Sequence, residues 1–120
     1  MNLDFIQRIT KWNEDRGNQR GHIEYMLEHK MIEEEVDEFF DAEKDVDRLD
    51  ALCDVVFVAV GSMHKLGLTP QQIDKAMNTV CDANDKKLAN KKSNGKISKP
   101  KDFIGPEPKL QKILDEINKG

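Results

Sequence analysis

Residues 31–60 read MIEEEVDEFFDAEKDVDRLDALCDVVFVAV, and the fold turns on how this stretch is read. Acids and large apolar residues are interleaved throughout. One acid, Asp54, stands inside ALCDVVFVAV, where every neighbour is apolar. An ionised carboxylate with no partner is strongly disfavoured in an apolar interior and tends to take up a proton. Asp54 therefore calls for a compensator: a Lys or Arg, several hydrogen-bond donors, or a metal ion.

The spacing predicts two helices here. The first of the pair runs from about His22 to Lys44, with Ile23, Met26, Leu27, Met31, Ile32, Phe39 and Phe40 keeping a helical period. EKDVDR is a short polar connection or a tight turn between antiparallel helices. The next helix, about Val46 to Leu66, is apolar nearly all round through its middle, as a central buried helix is. Gly67 is a suitable stop.

Working outward, Leu3, Ile6 and Ile9 predict a short amphipathic helix from Leu3 to Trp12, broken by the glycines of DRGNQRG. Downstream, Thr69 is a natural N-cap and Pro70 suits the first helical position. That fourth helix should reach about Asn90, with Ile73, Met77, Val80, Cys81 and Leu88 on one face. The tail NKKSNGKISKPKDFIGPEPK is rich in Lys, Gly and Pro and has a turn signal at Asn94 and Gly95. Leu110, Ile113, Leu114 and Ile117 then make one more short helix. No strand period occurs in residues 1–90, and no internal repeat is found. The expectation is one all-α domain over residues 1–120. Its four-helix-bundle-like core ends near residue 90 and carries a C-terminal extension.

A formal net charge of −4 argues against a general nucleic-acid binder. The two cysteines, Cys53 and Cys81, are far apart and offer neither a disulfide framework nor zinc spacing. The N-terminus lacks a secretory apolar region. The longest apolar run falls far short of the roughly 18–20 residues that span a membrane. These features point to a soluble, reduced, cytoplasmic protein.

At about 100° per residue, positions three and four apart share a helix face. Glu38 thus lies beside Glu34 and Glu35. Asp54 lies one turn from Asp50 and two from Asp47, and Gly61 leaves room on the same stripe. Two facing helices each present a carboxylate cluster. Glu34 and Glu35 alone would read as a solvated face, and Asp47 and Asp50 as first-turn acids favoured by the helix dipole. Asp54 fits neither description, although a Lys or Arg from another element could pair with it. A divalent cation makes such a cluster tolerable, and hard oxygen ligands select Mg²⁺, Mn²⁺ or Ca²⁺ over zinc. An EF-hand loop starting at Asp45 fails, since its sixth and twelfth positions are Asp50 and Val56. A di-iron site fails because Gln19, Met26 and Gly61 stand three residues before His22, His29 and His64. All-carboxylate chemistry remains, which points to Mg²⁺ or Mn²⁺ and to phosphates.

On the fourth helix the apolar period places Asn84 on the core side, a buried-polar anomaly like Asp54. Lys87 follows at i+3, with Lys86, Lys91 and Lys92 nearby. Most of these lysines read as solvating a helix end, whereas Asn84 with Lys87 is the pair expected to contact phosphate. Lys96, Lys99 and Lys101 lie on a glycine-punctuated loop that could close over an anion.

EEEVDE followed by DALCDVVFVAVGSMHKLGL resembles the all-α nucleoside triphosphate pyrophosphohydrolases. These include MazG, the dimeric dUTPases and phosphoribosyl-ATP pyrophosphohydrolase. Their signature is Glu-x-x-Glu on one helix and Glu-x-x-Asp on the next. Glu35 and Glu38 match the first pair and Asp54 the final Asp. NDKK resembles the family's Asn-x-x-Lys, which falls on Asn84 and Lys87. NGKISKPKDFIGPEPKLQKIL resembles the C-terminal segment of the phosphoribosyl-ATP pyrophosphohydrolase-like branch. The family's third Glu falls on Ala51, and Asp50, one turn before Asp54, is inferred to take its place.

The resemblance implies Mg²⁺-dependent hydrolysis of a nucleoside triphosphate to the monophosphate and pyrophosphate, with Mn²⁺ as an alternative. Glu35, Glu38, Asp50 and Asp54 would hold metal, Glu34 or Glu38 would accept the water's proton, and Asn84 and Lys87 would orient the triphosphate. It also implies a homodimer or higher homo-oligomer built on the long helices. Two other readings stand beside it. One is a non-catalytic nucleotide- or metal-binding homologue, or helical interaction module, that lost a ligand at Ala51. The other is a helical dimer with no ligand. Trp12 could stack on a base, but it also reads as a core residue.

Overall fold

The computed structural model describes residues 4–87 and 94–118. Five α-helices occur among the described residues: α1 (Asp4–Asp15), α2 (Tyr25–Asp41), α3 (Asp45–Leu66), α4 (Pro70–Asp85) and α5 (Glu107–Asn118). The architecture is all-α, with no β-strand among the described residues. The helix ends differ from expectation by a few residues, chiefly because α2 is shorter at both ends. Leu3, Leu88, Asn90, Lys91 and Lys92, which entered the sequence reading, lie outside the described residues. No single helix among those described is long and apolar enough to cross a membrane. Cys53 and Cys81 are free and exposed.

The chain divides into two compact units, Met1–Ile73 and Asp74–Gly120. In the first, α2 and α3 form a hairpin across the three residues 42–44. Their register is antiparallel: Glu28 pairs with Lys65 near the open end, while Glu38 lies against Asp54 nearer the turn. The Glu28–Lys65 ion pair is buried, with Lys65 Nζ 3.0 Å from Oε2 and 3.2 Å from Oε1. The Ser62 hydroxyl donates to the same Oε1 at 2.8 Å. The helix α3 ends at Gly67, whose φ of 125° suits glycine and whose N–H returns to the His64 carbonyl at 3.0 Å.

Packing of α1 against α3 depends on small and polar contacts. Ile6, Ile9, Thr10 and Asn13 are buried along one face of α1. Asn13 sits over Gly61, so close that a Cβ there would lie 3.1 Å from Asn13 Nδ2. Trp12 meets Phe57 edge-on, with ring centroids 5.2 Å apart. His64 is fully buried and donates from Nε2 to the Asn18 carbonyl at 2.8 Å.

α4 begins with a reciprocal cap. The Gln72 N–H donates to Thr69 Oγ1 at 3.2 Å, and the Thr69 N–H donates to Gln72 Oε1 at 2.9 Å. Within the second unit, Lys75 and Glu116 pair at 3.6 Å, and Ile113 is the buried residue of α5.

Two expectations are corrected. First, α3 is not a central buried helix within one chain, and a chain this small is hardly expected to cover it on every side: Ala51, Val60, Gly61, His64 and Lys65 are its buried residues, while Leu49, Leu52 and Val56 are about half exposed or more. Among the described residues, α2 and the short α1 are the helices packed on it. Second, the buried stripe of α4 is Ile73, Ala76 and Ala83, with Met77 and Cys81 exposed.

Breaking a buried ion pair by removing one partner strands a charge, whereas replacing both with apolar groups does not. Lys65→Met is expected to cost about 3–5 kcal/mol in urea denaturation, and the combined Glu28→Leu, Lys65→Met variant to recover most of it. Equal stability of the single and double variants would count against the pair as the hairpin's clamp.

Candidate metal centre

Glu35 and Glu38 share a face of α2, and the antiparallel register sets Asp54 of α3 opposite them. One carboxylate oxygen from each lies within 4.8 Å of the others. Glu35 and Asp54 are half-buried and Glu38 is exposed. Among the described residues no ion pair reaches any of the three. The one buried lysine nearby on α3, Lys65, is committed to Glu28. Glu35 Oε2 is buried and has no hydrogen-bond partner.

The electrostatics follow from this crowding. Burial pushes the Glu35 carboxyl up; a hydrogen bond that its protonated form donates to Glu38, and the charges of Glu38, Asp54 and Glu34, push it further. Burial likewise raises Asp54, with the charges of Asp50 and Glu38 adding to it. Two raised carboxyls among further acids, with one oxygen left orphaned, are short of positive charge. Oxygen donors in that arrangement fit a hard divalent cation.

The other sequence-derived residues are placed less centrally. Asp50 is exposed and outside the three-carboxylate group, although its charge is felt at Asp54. Glu34 is exposed and acts on Glu35 only through its charge. Ala51 is 2 % exposed, so the position of the family's third Glu faces inward and carries a methyl group. Asn84 is exposed, contrary to the expected core position. It lies beside the buried stripe of α4, and its amide donates back to the Val80 carbonyl at 3.0 Å. Asn84 and Lys87 line a groove of ≈ 790 Å³ in the second unit together with Lys96 and Lys99.

Sequence reasoning missed Glu28, Lys65, Asn13 and Asn18. The room at Gly61 was assigned to the carboxylate stripe, but Asn13 fills it. The argument used for Asp54 applies equally to Lys65, a charged residue at the buried end of the same helix. It would have asked for Glu28.

A family model described as phosphoribosyl-ATP pyrophosphohydrolase matches residues 7–84. The chain belongs to this family. The matched segment carries Glu35, Glu38, Asp54 and Asn84 and stops before Lys87. Comparison with curated proteins found no match. The family lies in the all-α, MazG-like pyrophosphohydrolase superfamily, and membership implies nucleotide pyrophosphohydrolase chemistry.

Raised carboxyl pKa values mean that the folded chain holds protons which the unfolded chain has lost. Metal-free stability therefore falls as pH rises above the ordinary values of 3.8 for Asp and 4.5 for Glu. Asp54→Asn is expected to raise the metal-free Tm at neutral pH and to remove the Tm gain given by Mg²⁺. A metal-free Tm below that of the parent protein would contradict this account.

Proposed function

We propose that the protein is a cytoplasmic, Mg²⁺-dependent pyrophosphohydrolase that cleaves a (d)NTP to the nucleoside monophosphate and pyrophosphate. The observation that carries this reading is the Glu35–Glu38–Asp54 cluster, which has no counter-charge among the described residues and leaves Glu35 Oε2 unpartnered, in a member of this family. Glu35, Glu38 and Asp54 hold the metal, with Asp50 supplying a further carboxylate from the same helix. Mn²⁺ suits the same donors. A divalent cation bound there supplies charge to the phosphate oxygens and lowers the pKa of water. Glu38 or Glu34 accepts the proton of the attacking water. Asn84 and Lys87 orient the triphosphate, an amide and an ammonium being suited to neutral and charged contacts with phosphate oxygens.

The same reading includes a homodimer. Met26 and Phe40 on α2 are 82 % and 86 % exposed, and Leu49 on α3 is 62 % exposed. Large exposed apolar patches mark interaction surfaces. A second copy of the hairpin is the occupant that the oligomeric habit of the family suggests.

One observation favours a binding-only homologue instead: the inward position 51 has no carboxylate, and Asp50 lies outside the cluster. Turnover decides between them. With Mg²⁺, a panel of canonical and modified (d)NTPs is expected to yield pyrophosphate and no orthophosphate. Glu38→Gln and Asp54→Asn should each lower the rate by about 100-fold or more while the protein stays folded. Undiminished turnover in both variants would place the chemistry elsewhere. If the parent protein binds nucleotide without turnover and Ala51→Glu restores pyrophosphate release, the binding-only reading holds.

A further inference from the structure

Acids outnumber bases 23 to 19 in this chain, yet the ≈ 790 Å³ groove of the second unit has no acid in its lining. Asn84 and Lys87 line it at the end of α4, and residues 94–97 and 99 line it from the C-terminal extension. Three of these residues are lysines: Lys87, Lys96 and Lys99. Among the described residues no ion pair engages any of them. Lys87 follows a helix C-terminus, where the dipole favours a cation in any case. Lys96 and Lys99 lie on no helix, so the dipole does not account for them.

The extension around these two lysines is built by local contacts. Asn94 Oδ1 accepts from the Lys96 N–H at 3.0 Å, and Gly95 takes a φ of 83° in that turn. Downstream, the Phe103 N–H donates to the Pro100 carbonyl at 3.1 Å. Lys99 Nζ lies 5.5 Å from the centroid of the Phe103 ring, within cation–π range. Lys101, next on the same loop, does not line the groove.

A cationic lining without an acid suits an anion that carries several charges. An ammonium is a compact point charge with three donors, fitted to phosphate oxygens. No aromatic ring lines the groove, so a base finds no face to stack on there. Single-stranded nucleic acid, which binds through such faces, is disfavoured for the same reason. A bare polyphosphate chain is the ligand that these residues match.

We propose that Lys96 and Lys99 join Asn84 and Lys87 in one polyphosphate-binding groove and set the number of phosphates that the protein accepts. A triphosphate tail carries charge enough for all three lysines, and a shorter chain leaves lysines unmatched. That the polyphosphate belongs to a nucleotide rests on the hydrolase reading above; the affinity for polyphosphate itself does not.

Binding of inorganic tripolyphosphate, pyrophosphate and phosphate to the full chain is measured by titration calorimetry in metal-free buffer, so that no cation on the carboxylate cluster can hold the anion. Affinity is expected to rise with each phosphate and to fall with added salt. Lys96→Gln and Lys99→Gln should each weaken tripolyphosphate by about tenfold, whereas Lys96→Arg and Lys99→Arg should keep most of the affinity. Lys112→Gln, at an exposed position of α5 outside the groove, should change nothing. No loss in the Gln variants, or an equal loss in Lys112→Gln, overturns the proposal. Tighter binding of a short oligodeoxythymidylate than of tripolyphosphate also overturns it, in favour of a nucleic-acid contact. With Mg²⁺ and a nucleotide that is turned over, the Lys96→Gln and Lys99→Gln variants should each raise KM by about tenfold. An unchanged KM with continuing pyrophosphate release overturns the groove's part in substrate choice and leaves the hydrolase reading intact. Lysine-dependent tripolyphosphate binding without pyrophosphate release from any triphosphate supports the groove and counts against the hydrolase reading.

Discussion

The first unit depends on the register between α2 and α3, and the buried contact that holds it is the Glu28–Lys65 ion pair with Ser62. Apolar packing alone sets this register weakly, because several large side chains on both helices remain exposed. A buried carboxylate that accepts from an ammonium and a hydroxyl tolerates little sliding: a slip of one turn would strand both charges in a low-dielectric interior. Once that pair is in place, the carboxylates nearer the turn are committed to face each other.

The hairpin is thus electrostatically lopsided. At the open end a negative group is matched within the protein. Nearer the turn, three carboxyl groups meet with no cation among the described residues, and the charges around Glu35 and Asp54 press on both. The same two helices hold both arrangements, so the difference is not one of general burial. One end is self-sufficient, and the other has no matching charge among the described residues. A cavity of ≈ 160 Å³ lined by Asn13, Asn18, Glu28 and Lys65 lies along the same hairpin, with Asn13 bonded to Asn18 and Glu28 to Lys65.

Much of this was legible in the sequence because it is local. Helical period gave the hairpin, Gly67 and Thr69–Pro70 marked where one helix stops and the next begins, and the oddity of Asp54 in an apolar run singled out the cluster that the structure brings together. What was not legible depends on neighbours distant in the chain. The pattern of α3 shows that it is apolar on most sides and that so small a chain hardly covers it, but not which of its residues are buried. Period alone put Asn84 inward, yet a residue beside a buried stripe can turn outward by a small rotation of the helix and bond its own carbonyl row. Glu28 and Asn13 looked like ordinary helix-surface polar residues until Lys65 and Gly61 were set against them.

The three-residue turn between α2 and α3 has a consequence for how the chain assembles. Glu35 and Asp54 are separated by fewer than twenty residues, whereas Asn13 must find Gly61 across a much longer stretch. Closing the shorter loop costs less entropy and is favoured early in folding. The nascent hairpin therefore meets its charge repulsion before α1 is docked to help hold it. Any counter-charge that lowers this repulsion therefore bears on an early long-range contact of the chain as well as on the finished arrangement.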